Sequence, residues 1–243
     1  MPLVLLIAIA FVFRVAAYLS PSHYIIIPES VALPLSLLGV VFLVCGVWAW
    51  RANPSSLTRV FLLYGVGGCI HWGGSIGVGS AGTEMGFLFF YMAATAMGDA
   101  ALLDLALRYP RTHVRWGRRT MALYLVAILS LIAVPIAPFL PTSVAESLIG
   151  IFIGAAFAMS IAGGIVVVVK WFRASGVERR VYYLTPIVVA LVVSSILDLL
   201  ADVGYLPGPP EAWSLTYGFE PVILAWALTR KQKANDFDTA KDG

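Results

Sequence analysis

Eight apolar stretches, about 2–19, 31–50, 60–80, 86–108, 119–139, 146–172, 181–204 and 213–229, run through this chain with short links between them. Each has about the length, roughly 17–25 residues, that a helix needs to cross the ~30 Å hydrocarbon core of a bilayer. Hydrocarbon offers backbone N–H and C=O groups no partner, so each stretch must satisfy them internally, as a helix does. A transmembrane barrel would instead show ten-residue segments of alternating polarity, and this sequence has none. Only 12% of the residues are charged, about half the share of a soluble domain. The expected fold is therefore all-α, a polytopic membrane bundle of about eight transmembrane helices. Residues 1–19 have no Lys or Arg ahead of their apolar run and are interrupted by Arg14, so they read as a retained first helix rather than a signal peptide. The bundle occupies 1–229, and 230–243 form a short, polar, disordered cytoplasmic tail.

The basic residues fix an orientation. Arg51 and Arg59 bound the second link, and Arg108, Arg111, Arg115, Arg118 and Arg119 fill the fourth. Lys170, Arg173, Arg179 and Arg180 surround the sixth, and Arg230, Lys231, Lys233 and Lys241 follow the last stretch. These are 15 of the 16 basic residues, all on one side, and the sixteenth is Arg14. The intervening links carry Glu29, Glu84, Glu146 and Glu211 instead. Lys and Arg collect on the cytoplasmic face, so both termini are expected there. The run Arg108 to Arg119 is a cytoplasmic anchor and a docking face for a partner. The net charge of +3 is no sign of nucleic-acid binding, because its sources sit beside membrane exits.

Gly65, Gly67, Gly68, Gly73, Gly74, Gly77 and Gly79 crowd the third stretch, and Gly150 and Gly154 set a small-xxx-small spacing in the sixth. Small residues let helix backbones approach closely in lipid, so tight packing is expected at both. Pro135, Pro138, Pro186 and Pro221 are candidate kink sites. Cys45 and Cys69, too few for a disulfide framework, read as small packing residues.

Ionisable groups at membrane depth are costly and point to function. Asp104 and Arg108, four apart near the cytoplasmic exit, predict a salt bridge that anchors a helix end. Arg14, His71, Asp99, Asp198 and Glu220 remain. At ~1.5 Å per residue, Arg14 and His71 come out roughly 16–18 Å from the cytoplasmic ends, Asp99 and Glu220 about 13 Å, and Asp198 about 25 Å. An arginine at that depth needs a carboxylate, and either a structural ion pair or an intramembrane ligand pocket meets this pattern. Trp72, next to His71 and too deep for the aromatic belt at the headgroups, joins the candidate lining.

Catalytic patterns are thin. His71 is the only histidine inside a stretch, so helical metal-ligand spacing is missing and no metal is expected. Ala96-Met-Gly-Asp99 stands where an intramembrane aspartyl protease has a GxGD turn, without its second motif. The last stretch has no lysine for retinal, and no phosphate-cradling glycine loop precedes a cytoplasmic helix. No catalytic residue and no cofactor are expected.

Two segments carry a family resemblance. Ala-Ala-Leu-Leu-Asp-Leu-Ala-Leu-Arg-Tyr-Pro-Arg over 100–111 resembles the hxALxFPR helix exit of the N-terminal seven-helix sensor region of bacterial histidine kinases. The segment from Glu220 to Asp238 resembles that family's P(L/I)xxAYAILRxRLFDID junction, with Trp226 for a tyrosine. Asp104 departs from the usual histidine or phenylalanine of the first motif. The resemblance implies a seven-helix core in stretches two to eight, with one N-terminal helix added. The family's junction leads into an output domain, and the sequence ends at Gly243. A sensor module without that domain is therefore implied.

The expected function is a non-catalytic membrane sensor or adaptor. It would respond to an apolar or membrane-borne cue in a pocket of Arg14, His71, Trp72, Asp99, Asp198 and Glu220. Its partners would be membrane lipids and a separate protein or a second copy. Two other classes stay open: an accessory subunit of an energy-transducing or photosynthetic complex, and a small transporter or intramembrane lipid enzyme.

Overall fold

The computed structural model describes residues 23–25, 29–73, 76–78, 81–110 and 118–239. The first expected helix, with Arg14, lies outside the described residues. The rest is helical apart from one ribbon, in which β1 (His23–Ile25) pairs antiparallel with β2 (Ile76–Val78). Its register sets His23 opposite Val78 and Ile25 opposite Ile76, so two segments far apart in the chain meet.

The helices are α1 (Glu29–Ala52), α2 (Ser56–Gly73), α3 (Ala81–Arg108), α4 (Arg118–Leu123), α5 (Leu125–Ala133), α6 (Thr142–Arg173), α7 (Gly176–Val181), α8 (Leu184–Asp202), α9 (Pro210–Trp213) and α10 (Phe219–Thr239). Short 3-10 turns at Ala137–Phe139 and Ser214–Gly218 precede α6 and α10. Acid and base sit where the helix dipole favours them, with Glu29 opening α1 and Arg51 in its last turn. Ser55 and Thr58 cap α2 reciprocally: each side-chain oxygen accepts the other's backbone N–H, at 3.2 and 3.0 Å.

Among the described residues four helices are long and apolar enough to cross a membrane: Leu33–Ala52, Leu88–Arg108, Thr142–Arg173 and Leu184–Asp202. Their burial sorts them. The α3 window is 67% buried, that of α1 50%, α8 33% and α6 22%. So α3 is an inner helix, and α6 turns most of its apolar surface outward.

Several expected spans change shape. The third ends at Gly73, and residues 76–78 join the ribbon. Four glycines in seven residues, each unfavourable by about 1 kcal/mol in a helix, explain the stop. The fifth breaks twice, at Tyr124 and again beyond Ala133, where Pro135 has no N–H to donate. Pro186 and Pro221 produce no kink, because they fall in the first turns of α8 and α10, where the N–H groups have no helical acceptor. The tail is no irregular segment: α10 continues through it to Thr239.

The helix most enclosed by its neighbours is α2, which lies between α1 and α3. Leu57, Val60, Phe61, Leu62, Tyr64, Val66 and Cys69 are all buried. Glycine permits that position. A Cβ on Gly65 would stand 2.6 Å from the Phe42 carbonyl oxygen, and one on Gly67 2.5 Å from the Gly98 Cα. Gly68 lies under the Phe42 ring, which leaves no room for a side chain. On both flanks of α2, backbone meets backbone. Gly150 and Gly154 behave otherwise, because a Cβ at either would meet nothing within 4 Å. The close helix packing expected of that pair is absent, since both face outward from α6.

Gly67→Ala should therefore cost about 1–3 kcal/mol, the usual range for overpacking against atoms that cannot move aside. Gly150→Ala should cost nothing and raise stability by up to about 1 kcal/mol, since a helix interior favours alanine over glycine. Thermal melts of the two variants in one detergent check the contrast, and equal melts would refute the glycine contact.

Candidate functional site

The Arg-rich end of the bundle is tied together by cations at helix ends. Asp104 and Arg108 form the expected ion pair, Nε to Oδ1 at 2.6 Å, with side chains 0% and 3% exposed. The Tyr124 hydroxyl donates to the other Asp104 oxygen at 3.2 Å, which brings α5 to α3. Lys170 of α6 reaches across and donates to the carbonyls of Ala106, Leu107 and Tyr109 at 2.6, 2.8 and 2.7 Å. Those carbonyls have no helical partner of their own, and the negative end of the helix dipole favours an ammonium there. Arg179 repeats the device on α6 itself, donating from Nε to the carbonyls of Trp171 and Ala174, each at 3.0 Å. The Tyr109 hydroxyl donates to the Tyr182 carbonyl at 2.5 Å, closing α3 onto the start of α8. Out of the membrane core and buried beside two other tyrosines, the Tyr109 phenol titrates well above its usual range.

A second polar set lies between α2, α3, α6, α8 and α10. Glu220, in the first turn of α10 and 4% exposed, accepts from the Tyr64 hydroxyl of α2 at 2.9 Å. Asp99 of α3 lies near Ser160 of α6 and close enough to interact electrostatically with both Glu220 and Tyr64. His71 Nδ1 meets the Tyr91 hydroxyl at 3.0 Å and the Thr95 hydroxyl at 3.2 Å, with its ring stacked on Tyr91. Trp72 stands edge-on to His71 at 4.8 Å and packs on Tyr217 at 5.6 Å. Tyr217 in turn directs its hydroxyl at Asp198, 3.4 Å away, while Ser214 donates to Asp198 at 2.7 Å. Rings and hydroxyls thus link His71, Trp72 and Asp198, and Tyr217 also lies within electrostatic reach of Glu220.

Of the six residues expected to share a pocket, His71, Trp72, Asp99, Asp198 and Glu220 belong to this connected set, and Arg14 lies outside the described residues. Counting residues sets Asp198 farther from the cytoplasmic ends than the others and outside their mid-membrane level, and Tyr217 links it to Trp72. Among the described residues the partners of Asp198 are the hydroxyls of Ser214 and Tyr217. Arg108 leaves the expected docking face: it is 2% exposed and committed to Asp104, so it presents no surface to a partner. Arg111 and Arg115 lie outside the described residues, as do the side chains of Arg118 and Arg119 in α4. Among the described residues no three His, Cys, Asp or Glu side chains gather as a metal site.

Charge alone did not reveal the hydroxyls that join the set. Their spacing carries a signal. Tyr91, Thr95 and Asp99 recur every fourth residue and make one polar stripe down α3, and Ser214, Tyr217 and Glu220 recur every third. No protein-family model, no curated protein and no solved structure matches this chain.

The Asp104–Arg108 pair gives a sharp mutational expectation. Arg108→Met strands a buried carboxylate and should cost about 3–5 kcal/mol, whereas replacing both partners by apolar residues of similar size is close to neutral. Denaturation of Arg108→Met and of Asp104→Leu/Arg108→Met checks it. The double variant should recover most of the loss, and a double variant as weak as the single would argue against the pair.

Proposed function

We propose that this chain is a non-catalytic membrane sensor or adaptor that takes an apolar or membrane-borne cue among its helices and acts through a separate partner. The observation that carries this reading is the connected set of His71, Trp72, Tyr217, Asp198, Glu220, Tyr64 and Asp99. It draws polar groups from helices that can change their packing, and such groups are retained at membrane depth when they bind or switch something. A cue that binds one packing arrangement better than another shifts the population toward it. Both ends of the relay would lie on α10, with Glu220 in its first turn and the junction-like segment to Asp238 beyond it. The likeness of that segment, and of 100–111, to the sensor region of histidine kinases supports the same reading. In this account the chain has eight spans, with both termini on the cytoplasmic side of a bacterial inner membrane.

The test is a thermal melt of purified protein against a panel of lipids and quinones. The reading expects at least one compound to raise the midpoint by several degrees in the wild type, and Trp72→Ala to abolish the shift. A wild type that no compound moves, and that purifies with none bound, would overturn it.

A second reading, an accessory subunit of a larger membrane complex, draws on the outward face of α6. Ile151, Phe157, Ile165 and Phe172 are exposed there, beside the open positions Gly150 and Gly154. Native mass measurement of the same gently extracted material separates the two, since a stable multi-subunit particle favours this second reading.

A further inference from the structure

The connection between α6 and α8 holds a combination that the proposed sensing role does not use. Phe172, Val177 and Val181 are large apolar residues, 68%, 71% and 43% exposed, on a turn that also carries two exposed arginines, Arg173 and Arg180. Val177 and Val181 are four apart in α7, so they share a face. Neither Arg173 nor Arg180 makes an ion pair or a hydrogen bond among the described residues, whereas their neighbour Arg179 is fully engaged by the end of α6.

The turn is also well fixed. Ser175 and Glu178 form a reciprocal capping box at the start of α7, with bonds of 3.2 and 2.9 Å. Arg179 closes the other side, its guanidinium 4.6 Å from the Trp171 ring centre. Two guanidiniums and three apolar side chains are therefore presented by an ordered scaffold.

Position follows from helix length. The 32 residues of α6 extend for about 48 Å at ~1.5 Å each, beyond the ~30 Å of hydrocarbon and about the full bilayer thickness with headgroups. Only 22% of the apolar window of α6 is buried, so the helix runs along lipid and delivers its C-terminal turn to the headgroup layer. There an apolar side chain has acyl chain to enter, and an arginine finds phosphate, whose oxygens match its planar fork of donors.

We infer that the α6–α8 turn is a docking site for anionic phospholipid, with Arg173 and Arg180 on headgroup phosphates and Phe172, Val177 and Val181 seated in the acyl boundary. The inference rests on the membrane-spanning reading of α6 and α8 and is independent of any cue bound among the helices. It assigns these arginines to lipid rather than to a soluble partner.

The experiment reconstitutes the protein in nanodiscs of equal parts phosphatidylcholine and phosphatidylglycerol, and reads by native mass spectrometry which lipid stays on the ejected protein. The wild type should retain phosphatidylglycerol several-fold over phosphatidylcholine, and Arg173→Gln/Arg180→Gln should bring the ratio near one. Because both side chains are exposed and without partners, that variant should melt with the wild type. Arg51→Gln/Arg59→Gln, at exposed arginines of the α1–α2 turn, should keep most of the preference. No preference in the wild type, or an equal loss in the two double variants, would overturn the inference. An unchanged ratio in Arg173→Gln/Arg180→Gln would do the same and would leave those guanidiniums to a protein partner. None of these readings requires a cue ligand, so a failed ligand panel and a failed lipid preference remain distinct results.

Discussion

Three helices of this bundle touch backbone to backbone because Gly65 and Gly67 have no side chain. In lipid, helices gain little from hiding apolar surface, since the acyl chains are as apolar as leucine. Close approach and dispersion must hold them together. That requirement selects α2 as the inner helix, although it is not among the four described helices apolar enough to cross a membrane by composition. The side chains that α2 carries then follow it inward. Tyr64 meets Glu220, and His71 meets Tyr91 and Thr95, because the glycines bring α2 within reach of its neighbours.

The polar groups divide into two sets with different physics. At the Arg-rich end, cations meet helix-end carbonyls and one carboxylate: Lys170 and Arg179 each fasten two segments, and Arg108 neutralises Asp104 within α3. That end is well compensated and acts as a rigid base. Among the described residues the second set contains three carboxyl groups, of which Asp99 and Glu220 are near each other, one histidine and several hydroxyls, but no lysine or arginine. Hydroxyls can rotate and exchange partners at small cost, whereas a buried ion pair cannot. The sensing role proposed for the bundle would draw on that difference.

Much of this order is legible in the chain, and the failures have physical causes. Long apolar runs give the helices, and the spacing of Asp104 and Arg108 gives their ion pair. Counting residues from the membrane exits brings His71, Trp72, Asp99 and Glu220 to one level without saying which helices adjoin. What escapes is whatever depends on a partner surface. Gly67 and Gly150 are equivalent as letters, yet one faces Gly98 and the other faces outward. Arg108 and Arg173 both follow apolar runs, yet one is drawn inside by Asp104 while the other stays exposed. The hydroxyl stripes on α3 and before α10 were readable by spacing, but an accounting by formal charge passes over them.

The central claim is that α2, held by its glycines, and α10 meet through a bond between Tyr64 and Glu220 inside the bundle. A double-mutant cycle measures this most directly, with Tyr64→Phe, Glu220→Leu and the combined variant unfolded in the same lipid nanodiscs. Residues in one buried hydrogen-bond network couple by about 0.5–3 kcal/mol. The account predicts coupling in that range, with the double variant less damaged than the sum of the singles. Strictly additive losses would contradict it, because they would mean that the two side chains do not meet.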